Sequence, residues 1–146
     1  MRLTAILLTV ATLALPTLSS AKDESIAQLI GRADLARLED RPAIYAEIAE
    51  RQLRNADQLY NQGKSDQAEA AVKDVVLYSD KAADAATKSG KKLKNTEIAM
   101  RKMAEKLRDI KRSLSFDDQP PVQAAIEHLE GLRTDLLNRM FGKGAK

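Results

Sequence analysis

The chain has 146 residues, 24 basic and 21 acidic, with no cysteine, no tryptophan and only five aromatic side chains. The lack of cysteine excludes a disulfide framework, a lipid-modified cysteine, a cysteine-linked haem and any thiol chemistry. The length fits one domain, and its core must be aliphatic, built from Ala, Leu, Val, Ile and Met and held by packing alone.

Met1-Arg2 precedes thirteen uncharged, mostly apolar residues, Leu3 to Leu15, then Pro16 and the small-residue site Ser19-Ser20-Ala21. That is the layout of a secretory signal peptide. Its apolar stretch is short of the ~20 residues a membrane-spanning helix needs. Cleavage after Ala21 is expected, leaving one helical domain over residues 22–146 that is exported to the periplasm or secreted; an uncleaved anchor is the alternative.

Beyond the leader, glycine is sparse and proline occurs only at 42, 120 and 121, so an all-α fold is predicted. A first helix is expected over Glu24 to Glu39, with Ile26, Leu29, Ile30 and Ala33 on one face. Arg41-Pro42 breaks it, because a residue before proline is pushed out of the helical region, and Pro42 suits the first turn of a second helix. Tyr45, Ile48, Ala49, Ala56, Leu59 and Tyr60 carry that helix to about Gln62.

Gly63-Lys64-Ser65 spells the end of many phosphate-binding loops. A Walker loop also needs a glycine at position 58, which is Gln58, and a buried strand leading in, where this sequence has an amphipathic helix. The triplet therefore reads as a corner between antiparallel helices. Gly63 closes one helix in a left-handed conformation and Ser65 or Asp66 caps the next, with Glu69 completing a capping box if Asp66 is the cap.

Around this corner Ala56, Leu59, Tyr60, Gly63, Ala68 and Val72 resemble the inner positions of a tetratricopeptide helical hairpin, over roughly residues 56–75. The resemblance implies a protein-interaction scaffold. A step of about 34 residues, the period of that repeat, reaches Glu97 and Lys102 in place of Gly63 and Ala68, so no second copy follows. The whole chain also resembles exported helical proteins of bacteria, a likeness that implies no activity.

From Asp66 onward a heptad runs through Val72, Ser79, Ala86, Leu93, Met100, Leu107 and Leu114, with Val75, Ala82, Ser89, Thr96, Met103 and Ile110 as companions. Eighteen of the 43 residues from 72 to 114 are charged, yet these thirteen positions hold no charge. The unbroken register predicts one long helix over about 66–115, kinked at Gly90, as the spine of an elongated antiparallel bundle. At 1.5 Å per residue the stripe alone spans roughly 65 Å. Helix two would cover its first half, and a last helix bearing Val122, Ile126, Leu129, Leu132, Leu136 and Met140 its second half, after a reversal at Pro120-Pro121. The alternative is a compact four-helix bundle folded at Gly90.

Residues with chemical potential are few. His128 is the sole histidine and position 125 is Ala125, so neither a multi-histidine zinc site nor a Glu-x-x-His carboxylate-bridged metal site can be assembled. Asp117 and Asp118 are explained by a helix start. Met100 and Met103 lie on the apolar stripe, as packing residues do. No catalytic, cofactor-binding or metal residues are assigned, no cofactor is expected, and the chain is not expected to be an enzyme.

Charge supplies the remaining signal. Between Lys88 and Arg112 stand ten basic residues and three acidic ones, Glu97, Glu105 and Asp109. Lys94, Arg101 and Arg108 share one heptad position and form a line, a candidate anion-binding face for lipid head groups, envelope polymer or an acidic protein. The competing reading is a solvated face balanced by Glu47, Glu50, Glu127 and Glu130. Nucleic acid is not expected, since aromatic side chains for base stacking are nearly missing. The expected role is a non-catalytic scaffold or protein-interaction module, with binding to an anionic envelope surface and a homo-oligomeric coiled-coil spacer as alternatives. Leu77 and Ile98, apolar at the outermost heptad position, call for further helices or subunits to cover them.

Overall fold

The computed structural model describes residues 24–142, and the expected leader and cleavage site lie outside them. Five α-helices and one short 3-10 turn, with no strand among the described residues, make the chain all-α. Helix α1 spans Ile26–Leu35, α2 Arg41–Asn61, α3 Ser65–Ser89, α4 Leu93–Ser113 and α5 Gln119–Phe141.

Helix α1 opens with a capping box: the Ser25 hydroxyl accepts from the Gln28 amide while the Gln28 side chain accepts from the Ser25 amide. Leu29 and Ala33 are buried against Ile44 and Ile48 of α2. The helix stops at Leu35, four residues short of expectation, because its apolar stripe ends at Ala33. Arg41 Nε then donates to the free Ala36 carbonyl at 3.0 Å, fixing the connection to α2. Pro42 stands in the first turn of α2, as predicted.

At the α2–α3 corner, Gly63 adopts φ +72. The Lys64 amide donates to the Leu59 carbonyl at 2.9 Å and the Gly63 amide to the Tyr60 carbonyl at 3.0 Å, a Schellman closure that satisfies the carbonyls at the end of α2. The cap of α3 differs from expectation. The helix already begins at Ser65, its N-cap Lys64 makes no side-chain cap bond, and Asp66 serves only as a negative charge in the first turn. Ser65 Oγ instead donates across the molecule to Asp118 at 3.1 Å.

The long helix expected over 66–115 is two helices. α3 ends at Ser89, Gly90 takes φ +66, Lys92 takes φ +62, and α4 begins at Leu93. Contacts along the helices give the direction. Ser65–Asp118 and Asp80–His128 pair α3 parallel to α5, whereas Arg108–Glu130 and Lys111–Gln123 pair α4 antiparallel to α5. α4 therefore runs back against the direction of α3, and the compact bundle folded at Gly90 is the observed arrangement. Folding back lets the stripes of both halves meet one interior, whereas a straight rod leaves each half with a single neighbour.

The bundle consists of two antiparallel hairpins, α2/α3 and α4/α5, joined chiefly where α3 packs on α5, with lighter contacts of both α2 and α3 to α4. Val72, Val75, Ala82 and Ala86 of α3 share one core with Met100, Met103, Leu107 and Ile110 of α4 and with Val122, Ile126, Leu129 and Leu136 of α5. Alanine dominates the buried face of α3, and small side chains let helix axes approach closely. Among the described residues one core side chain is anomalous: Ser79 is fully buried and its hydroxyl has no hydrogen-bond partner.

Candidate functional site

The parallel packing of α3 on α5 leaves a surface groove of about 370 Å³. Its floor is Val72, Val76, Pro121, Ala124 and Ala125, whose short side chains do not fill the space between the two backbones. Glu69, Lys73 and His128 stand on its rim. His128 is exposed, as expected of a helix-surface residue, and its Nε2 lies 2.6 Å from Asp80 Oδ1 on α3, tying the two walls together. Leu77, next to Val76 in the chain, is 46% exposed, and no element among the described residues covers it. Ile98, its counterpart on α4, is half-buried.

Lys94, Arg101 and Arg108 are all exposed on α4. Their seven-residue spacing sets them on one face over about 21 Å. Arg108 is not free, since its guanidinium lies 2.9 Å from Glu130 on α5. Lys106, on the other flank of the buried stripe of α4, lies 2.7 Å from Asp57 on α2. Lys94 and Arg101 form no ion pair among the described residues. Of the acidic residues expected to balance the line, Glu130 does so, while Glu47 is engaged by Arg32 and Arg51 at the other side of the bundle.

Two polar arrangements had no signature in the sequence. Glu97 is buried on α4, and Arg133 of α5 meets it with Nε at 2.5 Å while also reaching Glu130. The hydrogen bond with Glu97 raises the Arg133 pKa and so holds its charge. Asp118 accepts from both Ser65 and Ser115 hydroxyls, so its carboxylate ties two hairpin turns together rather than capping α5. Beside it Tyr60 has a raised pKa, chiefly through burial and then through the nearby Asp118 and Glu69 carboxylates. Tyr78 is raised in the same way by burial and by Asp74, and Lys81 stands over its ring at 5.4 Å.

Met100 and Met103 are buried in the core, as the stripe predicted. Among the described residues no group of three or more His, Asp or Glu side chains is arranged to hold a metal ion, and no helix is long and apolar enough to cross a membrane. Comparison with family models, with curated proteins and with solved structures finds no match.

Proposed function

We propose that this protein is an exported, non-catalytic helical interaction module that receives an amphipathic helix of a partner protein in the α3/α5 groove. The groove itself carries this reading. Its floor is apolar and its rim carries both signs of charge, Glu69 and Lys73, matching a helix with a narrow apolar stripe flanked by mixed charges. The likeness of residues 56–75 to a tetratricopeptide hairpin supports the same role, and the leader-like segment supports work in the cell envelope. The decisive test places a photo-crosslinking residue at Lys73, identifies the partner captured in the envelope, and measures its affinity after purification. Ala124→Arg, which fills the groove from an exposed position, lowers that affinity at least tenfold, while Arg101→Ala leaves it unchanged. Equal affinity for the wild type and Ala124→Arg refutes the groove as the binding site.

A second reading, peripheral attachment to an anionic surface, is favoured by the lack of ion pairs at Lys94 and Arg101 among the described residues. It predicts binding to vesicles containing phosphatidylglycerol that is lost on adding salt. A Lys94→Ala, Arg101→Ala variant that binds these vesicles as the wild type does rules it out.

A further inference from the structure

The turn between α3 and α4 joins two segments whose apolar stripes are already in phase. Gly90, Lys91 and Lys92 replace roughly one helical turn, so a chain straightened through them presents Val72 to Leu114 on a single stripe. Lys92 is the one non-glycine residue with positive φ among those described. A side chain in that conformation is strained, and straightening releases the strain. Packing between the hairpins is carried by α3 on α5 and, more lightly, by α2 and α3 on α4, with the Lys106–Asp57, His128–Asp80 and Ser65–Asp118 contacts between them. None of these requires both hairpins to come from the same chain.

We infer that the protein forms a dimer by exchanging hairpins: Gly90–Lys92 become helical, and α2/α3 of one copy packs on α4/α5 of a second copy. Short strained connections between complete packing units favour such exchange. Residues 65–113 then form a continuous rod about 74 Å long. Both copies of Lys88, Lys91, Lys92 and Lys94 meet where the two rods cross. Their mutual repulsion favours the single-chain bundle at low ionic strength, and salt shifts the balance toward the dimer.

The test uses Gly90→Ala together with Lys92→Ala. Alanine takes up the left-handed conformation of residue 90 only with strain and extends a helix readily. A tenfold gain per chain, equivalent to about 1.4 kcal/mol, makes the dimer about a hundredfold tighter. Light scattering after size exclusion reports the mass. Spin labels on Ala70→Cys and Arg112→Cys, in a chain with no other cysteine, report the geometry when diluted with unlabelled protein. The two sites share one end of the single-chain bundle, within about 30 Å given ordinary helix packing distances, and stand about 63 Å apart along the rod. A dimer with the long intrachain distance is expected. A monomer, or a dimer that keeps the short distance, overturns the inference. If the double variant does not fold, the labelled wild type in about 0.5 M NaCl gives the same reading: a long-distance population grows with protein concentration, and its absence is equally fatal.

Discussion

Replacing Ser79 with alanine is expected to stabilise the protein. The side chain lies between Val75 and Ala82 on the buried face of α3; all three are 0% exposed, and the hydroxyl has no partner. Leaving such a group unsatisfied costs about 1–3 kcal/mol, and alanine adds about 0.5 kcal/mol of helix propensity over serine. Against this stands the void left by one oxygen, about 0.2–0.3 kcal/mol at ~24 cal/mol per Å³ for roughly 10 Å³. A net gain of about 1–3 kcal/mol follows. For the 119 residues from 24 to 142, an unfolding entropy near 0.25 kcal/mol/K converts each kcal/mol into about 4 °C in Tm. Urea unfolding followed by circular dichroism, with an unchanged slope, measures the gain directly. Thr96 is the control. It is equally buried on the same stripe but its hydroxyl donates to the Lys92 carbonyl at 2.8 Å, so Thr96→Val loses about 0.5–1.5 kcal/mol. If both variants shift stability in the same direction, hydrogen-bond satisfaction does not govern this core.

Lys92→Gly removes the left-handed strain and raises stability by about 1 kcal/mol, read from the same urea titration. Leu129→Ala, at a fully buried site touching the shared core, lowers it by about 2–5 kcal/mol. Arg133→Met strands the buried Glu97 carboxylate and lowers Tm further than Arg112→Met, whose partner Asp109 is exposed; adding Glu97→Gln to Arg133→Met restores neutrality and recovers part of the loss, as thermal melts of the three variants check. Because the folded-state pKa of Tyr60 and Tyr78 is raised, the unfolded chain loses these protons first as pH rises. Stability is therefore intact below about pH 10 and falls from there toward the folded pKa values. Tyr60→Phe flattens that alkaline loss, which urea titrations at pH 9 to 11 detect.

Most of the elements were legible because local chemistry determines them. Pro42 and Pro120-Pro121 can stand only at helix starts, Gly63 closes α2 through the backbone bonds expected of it, and the thirteen uncharged stripe positions are buried or half-buried. The reversal at Gly90 was misread because seven-residue spacing measures which way side chains face, not whether the axis continues. A three-residue turn consumes nearly the residues of one helical turn, so Ala86 and Leu93 keep their phase even though their helices run oppositely. Lys88 in the last turn and the left-handed Gly90 after it are ordinary stop signals, and the stripe outweighed them. The groove was less legible still. Its walls come from residues around 72 and around 124, and nothing in either segment specifies that α3 and α5 lie side by side. Arg133 and Glu97 stand 36 positions apart and Ser65 and Asp118 stand 53 apart, distances at which single-chain patterning carries no pairing signal.

The carboxylate of Asp118 grips hydroxyls from Ser65 and Ser115, and it does so at the opposite tip of the molecule from Gly90. That gives the bundle a clasp at one end and a joint at the other. Amide protons around residues 63–68 and 115–119 should consequently exchange with solvent in a single shared event, at one rate. Removing the Asp118 side chain would quicken both stretches together while leaving the middle of α2 and α4 untouched.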